Sequence, residues 1–192
     1  MRKPMARLIV FNSVSLDGYF TDANSDMSFA HNPMPDPEWD AFVAGNARGG
    51  GRLIFGRITY EMMASFWPTP AAAQTLPDVA QEMNRLPKVV FSRTLNSASW
   101  NNTRLIKADL IGEMEKMKTE SPEDMAILGS GSLVAQLARR GLIDEYQIVA
   151  VPVVLGKGRT MFEGIGQTLP LRLTKTRSFA NGNVLMCYAP IK

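Results

Sequence analysis

The chain is poor in the residues that build disulfide and metal chemistry. Its 192 residues include one cysteine, Cys187, and one histidine, His31. A lone cysteine cannot close an internal disulfide, and a single Cys and His cannot complete a zinc set. There is no run of about 18 apolar residues, which argues against a membrane-spanning helix. The start, Met1 to Ala6, is basic but passes directly into Leu8-Ile9-Val10-Phe11. It lacks the long apolar region and small-residue cleavage site of a secretory leader, so a cytoplasmic location is expected. Charge of one sign is also scarce, because 21 basic residues face 18 acidic ones for a net +3. The basic residues are scattered along the chain and form no stripe, so no nucleic-acid partner is expected. Repeats, low-complexity tracts and long linkers are missing too. With 45% hydrophobic residues, the composition predicts a single domain over 1–192 with a sizeable core.

What is present is an alternation of short apolar runs with amphipathic stretches, the pattern of α/β architecture. Residues 7–14 predict a first, fully buried strand. A helix is expected over 36–46, with Asp36 as cap, Pro37 in the first turn, and Trp39, Phe42 and Val43 on one face. Strands follow at 53–55, 88–91, 105–106 and 125–128, and helices at 58–66, 76–85, 109–118 and 133–140. Beyond residue 145 the pattern turns to strands, over 145–151, 170–179 and 183–189, with Asn181-Gly182 as a hairpin signal. This strand-rich third is a candidate for pairing across a homodimer. Met62, Met63, Met114, Met117 and Met125 are read as core filling.

Three strand ends carry chemistry. Phe55-Gly56-Arg57-Ile58-Thr59-Tyr60-Glu61 joins a glycine turn to a helix start, where free N–H groups and the positive dipole end suit a phosphate. The alternative there is an ordinary turn, capped by Thr59. Val90-Phe91-Ser92-Arg93 pairs a hydroxyl with a guanidinium, which suits a phosphate monoester or is simply a surface arginine. Leu128-Gly129-Ser130-Gly131-Ser132 is half of a dinucleotide fingerprint, without its third glycine and ribose-binding acid; placed between a strand and a helix, it suits a pyrophosphate or is a bare turn. Asp17-Gly18 breaks the first strand into a loop. Asp40, beside Trp39, Phe42 and Val43, is either a proton donor next to an apolar surface or an exposed helical acid. Pro152-Val153-Val154-Leu155-Gly156-Lys157-Gly158-Arg159 offers basic groups to a phosphate, or serves only as a loop.

The ordered set F-G-R-x-T-Y-E, V-F-S-R, L-G-S-G-S-L and P-V-V-L-G-K-G-R-x-M-F resembles the dihydrofolate reductase superfamily. Within it, the chain is most similar to the reductase domain of the bifunctional riboflavin-biosynthesis deaminase/reductase and its stand-alone homologues, over about residues 7–189. The resemblance implies a three-layer α/β/α sandwich with a mixed, mainly parallel central sheet and NADPH across its strand ends. It implies that Gly56, Arg57 and Thr59 meet cofactor phosphates, and that Ser92 and Arg93 meet the 2′-phosphate. Gly129, Ser130, Gly131 and Ser132 would wrap the pyrophosphate, with Asp17 and Gly18 near nicotinamide and substrate. Asp40 precedes Gly56 by the interval that separates the substrate-binding acid from this glycine in many dihydrofolate reductases, so Asp40, then Asp17, is the expected proton donor. The implied activity is NADPH-dependent hydride transfer to a small pterin- or pyrimidine-like heterocycle. The alternative is a non-catalytic NADPH-binding or sensor protein of the same fold. The His-x-Glu and Pro-Cys-x-x-Cys zinc motifs of the deaminase half are absent, which excludes deamination. The segment after Gly56 is of dihydrofolate-reductase type, which argues against the riboflavin precursor itself as substrate.

Overall fold

The core is organised by one large sheet whose strands run in the order β5-β4-β3-β6-β1-β7-β10-β9. A computed structural model describes residues 5–31, 34–49 and 51–191; the basic start Met1–Pro4 and Gly50 lie outside the described residues. The strands are β1 (Leu8–Ser15), β3 (Arg52–Gly56), β4 (Lys88–Phe91), β5 (Thr103–Ile106), β6 (Met125–Leu128), β7 (Glu145–Val151), β9 (Leu171–Ser178) and β10 (Val184–Pro190). From β5 through β7 every neighbouring pair is parallel, and the β7–β10 and β10–β9 pairs are antiparallel. A separate antiparallel ribbon joins β2 (Tyr19–Asp22) to β8 (Gly158–Thr160). This is the mixed, mainly parallel sheet expected from the sequence.

Helices cover both faces, as parallel strands require. On one side α5 (Leu110–Glu120) and α6 (Gly131–Arg139) bury Met114, Met117, Val134 and Leu137 against Leu8, Val10, Ile54 and Ile127. On the other, α2 (Arg57–Phe66) and α4 (Pro77–Arg85) bury Tyr60, Val79 and Met83 against Leu53, Phe55 and Val90. A short helix, α3 (Pro70–Thr75), links them, and α1 (Pro37–Arg48) lays Trp39 and Phe42 near Val149, Val151 and Leu185. Asp36 caps α1 as expected, its Oδ1 accepting from the amides of Glu38 and Trp39.

Several sequence expectations are corrected. β1 is not buried throughout: Leu8 and Val10 are fully enclosed beneath α5 and α6, whereas Ile9 and Phe11 are half-buried, because α1 covers the second face incompletely. The helix expected from Leu133 begins at Gly131. Thr59 does not cap α2, whose cap position is Gly56 and has no side-chain cap; the Thr59 hydroxyl is used elsewhere. By contrast, Asn181-Gly182 does lie in the hairpin connection between the antiparallel β9 and β10, as expected, with the Gly182 amide donating to the Phe179 carbonyl at 3.0 Å and Gly182 at φ +86. The ribbon strands β2 and β8 are too short to show a period in the sequence.

Lys88 heads β4 at 1% exposure, with no carboxylate partner among the described residues. Its ammonium donates to the Leu86 carbonyl at 2.6 Å and lies 4.5 Å from the Trp100 ring centre. Burial pushes its pKa down to about 8. Since the unfolded chain then binds more protons than the folded one above that point, stability contributed at this site rises with pH. We expect the stability of the native protein relative to Lys88→Met to rise from about pH 8 towards pH 10.5, the ordinary lysine value. Urea denaturation of both proteins across that range checks it; a flat difference would place the charge in a better-solvated setting.

Candidate functional site

Because the strands from β5 to β7 are parallel, the carboxyl ends of β1, β3, β4 and β6 lie along one edge of the sheet. Gly56 ends β3, Ser92 follows β4, and Gly129-Ser130 follows β6. The sheet thus gathers residues far apart in the chain at the edge where open α/β sheets bind ligands. A cleft of about 260 Å³ opens there, lined by Gly56, Arg57, Ser92, Ser130, Gly131 and Arg159 among others. That volume is near the lower end of the roughly 300–1,000 Å³ typical of small-molecule sites.

Two helices start at this cleft, and hydrogen bonds tie their first turns together. The Gly56 amide donates to Ser130 Oγ at 2.8 Å, and the Ser130 amide donates to Thr59 Oγ1 at 3.1 Å. Ser130 Oγ also donates to the Leu128 carbonyl at 3.2 Å. Gly129 and Ser130 are both left-handed, at φ +59 and +56. A Cβ at Gly129 would stand 2.8 Å from Thr59 Cγ2, so the glycine is demanded by close approach as well as by backbone angle. A Cβ at Gly131 would stand 2.9 Å from the Phe20 ring, where the β2–β8 ribbon presses on the turn.

This wiring changes the part that the hydroxyls play. Thr59 and Ser130 line the cleft, but their oxygens already accept backbone amides of the protein. The amides of Leu133 and Val134 turn back to the Ser130 carbonyl at 2.9 and 3.1 Å. Those of Gly131 and Ser132 have no acceptor among the described residues, as the first turn of a helix dictates. The cleft therefore offers amide donors plus the guanidinium groups of Arg57 and Arg159. Arg57 pairs with Glu61 at 2.9 Å on the exposed surface, whereas Arg159 makes no ion pair among the described residues. No lining residue among those described carries a carboxyl group, so the site favours an anion.

Apart from Ser92, the remaining expected residues fall outside this cleft. Ser92 lines it, but its Oγ accepts from the Thr94 and Leu95 amides at 3.2 and 2.9 Å, and Arg93 is exposed beyond it. Asp17 accepts from Ser15 Oγ at 2.6 Å and from the amides of Leu155 and Gly156 at 3.2 and 2.7 Å. The Ser15 bond, aided by these amides against slight desolvation, holds its carboxyl below the usual range. Asp17 is thus built to stay ionised and to fasten the turn containing Gly18 (φ +88) to the loop before β8. Asp40 is exposed on α1, because Trp39 and Phe42 take the inward positions of that helix and leave it outward. Sequence reasoning passed over Phe20, Thr21 and Asn12, and assigned Met62 to the core although it lines the cleft. An asparagine placed directly after the apolar run Leu8-Ile9-Val10-Phe11 and still within β1 was the available signal for Asn12. Arg159 stands in a segment whose basic groups the sequence marked, and the β2–β8 pairing is what carries it to the cleft.

Gly129→Ala should lower folding stability by about 1–2 kcal/mol from the left-handed backbone alone, with the Thr59 conflict added. Chemical denaturation reads this directly, and an unchanged midpoint would mean that the turn yields freely.

Comparison with known proteins places this architecture. The uncharacterized Bacillus subtilis (strain 168) protein YyaP is 27% identical over 95% of this chain and 94% of its own length. YwjB of the same organism is 26% identical over 90% and 92%. Among solved structures, a candidate riboflavin biosynthesis protein from Shewanella sp. PV-4 superposes with a TM-score of 0.73 at 22% identity, covering 97% of this chain and 99% of that one. A pyrimidine reductase-like protein from Corynebacterium diphtheriae gives 0.64 at 16% identity, with 97% and 92% covered. Dihydrofolate reductase from Enterococcus faecalis, complexed with NADP(H), gives 0.64 at 13% identity, with 97% of each chain covered. These structures share the fold, and the RibD C-terminal domain profile matches residues 6–185. The chain belongs to the RibD C-terminal domain family and has the dihydrofolate-reductase-like fold.

Proposed function

We propose that this protein is an NADPH-dependent reductase acting on a small pterin- or pyrimidine-like heterocycle. The observation that carries the reading is the anion-suited cleft: amide donors at a helix start and the guanidinium groups of Arg57 and Arg159, with no carboxyl group among its described lining residues. A dinucleotide pyrophosphate is matched by this donor set, and membership of a reductase family supports the choice. When bound, the cofactor supplies a hydride. In this reading Arg57, Arg159, Gly131 and Ser132 hold its phosphates, and Arg93 is assigned to the 2′-phosphate that separates NADPH from NADH.

Neither expected acid touches the cleft, since Asp17 is committed to its loop contacts and Asp40 faces outward. The proton that completes reduction is therefore assigned to solvent. A second reading, a binding or sensing protein without turnover, is favoured by the same lack of a carboxyl group among the described lining residues. Steady NADPH oxidation with a pterin or pyrimidine acceptor separates the two: tight NADPH binding without oxidation of any such acceptor would support the sensor.

Arg159→Ala should weaken NADPH binding by about tenfold or more, the scale of one charge-assisted contact. Fluorescence titration measures it, and unaltered affinity would remove Arg159 from the phosphate site. Arg93→Ala should weaken NADPH much more than NADH; equal losses would move 2′-phosphate recognition to another residue. Asp40→Asn should leave turnover within about threefold, on the scale of surface substitutions away from a site. Loss of the proton-transfer limb in its pH–rate profile would restore Asp40 as the acid.

A further inference from the structure

Behind the cleft, and outside its lining, Asn12 is 2% exposed in the middle of the central strand β1. A polar amide at such a place is destabilising unless every polar atom is matched. Asn12 matches them chiefly on Gly129, using the peptide groups on both sides of that residue. Its Oδ1 accepts from the Gly129 amide at 2.6 Å, and its Nδ2 donates to the Gly129 carbonyl at 3.2 Å and to Met161 Sδ at 3.0 Å. It grips both polar groups of the residue that begins the left-handed pair Gly129-Ser130, and it also reaches the residue just beyond β8. Ser130 holds a left-handed conformation that L side chains avoid, so something must over-determine the turn.

We propose that Asn12 is a positioning residue: by clamping the two peptide groups that flank Gly129 it presets the Gly129-Ser130 turn, and so aims the free amides of Gly131 and Ser132 at a phosphate-bearing ligand. Its ligand rests on the NADPH reading above; its geometry does not. The role differs from plain core support. A buried residue that only filled space would lower stability when truncated, without altering ligand affinity or local amide protection.

The test compares Asn12→Ala and Asn12→Asp with Val10→Ala, which removes buried volume from the same strand and deletes no hydrogen bond to the turn. Asn12→Asp keeps the acceptor for the Gly129 amide but sets a carboxylate oxygen against the Gly129 carbonyl, so it should not rescue. Amide hydrogen exchange on the folded proteins should rise about tenfold or more at the hydrogen-bonded amides of Gly129 and Ser130 in both Asn12 variants and stay near native in Val10→Ala. NADPH affinity should fall by about tenfold or more in the Asn12 variants and by less than about twofold in the control. Native-like exchange at Gly129 and Ser130 in Asn12→Ala overturns the proposal, as does unchanged NADPH affinity in a folded Asn12 variant of a protein whose native form binds NADPH. If the native protein fails to bind NADPH, the cofactor reading falls, and the exchange data alone decide whether Asn12 sets the turn.

Discussion

The site depends on the exchange of hydrogen bonds between the ends of β3 and β6. The Gly56 amide donates to Ser130 Oγ while the Ser130 amide donates to Thr59 Oγ1. Two helix starts, which would otherwise be independent dipole ends, become one rigid unit. That rigidity is possible because β3 and β6 are direct parallel neighbours, with Ile54 beside Ile127, so their carboxyl ends emerge together. It also needs glycine at 129, since any Cβ there would meet Thr59. Backbone strain in Ser130 is compensated by this network rather than by solvent.

The β2–β8 ribbon is the second element of the design. It carries Phe20, Thr21 and Arg159 over the cleft and rests Phe20 on Gly131. Asp17 holds the near end of the ribbon by tying the β1–β2 turn to the loop that leads into β8. An acid that the sequence offers as a proton donor is thus spent on attachment. A carboxyl that accepts several hydrogen bonds is stabilised in its charged form, which suits an anchor and opposes proton donation near neutrality. Asp40 shows the other way in which proximity in sequence misleads, because its neighbours Trp39 and Phe42 turn inward and it does not.

Much of this was legible in the chain itself. The apolar runs at 53–55, 89–91 and 125–128, followed by Gly56, Ser92 and Gly129, determined a parallel α/β core with anion-suited strand ends, because strand period and glycine's backbone freedom are local properties. The order of those motifs, with the F-G-R-x-T-Y-E and L-G-S-G-S-L segments intact, also determined the family. What only the tertiary structure decided is which atoms are still free once the strands lie side by side. Thr59 and Ser130 spend their hydroxyls on each other's segments, Asn12 meets Gly129 across 117 positions of sequence, and Arg159 reaches the cleft only through the pairing of two very short strands. Hydrogen-bond saturation is a property of neighbours in space, so no local pattern could have separated the residues that build the cleft from those that remain open to a ligand.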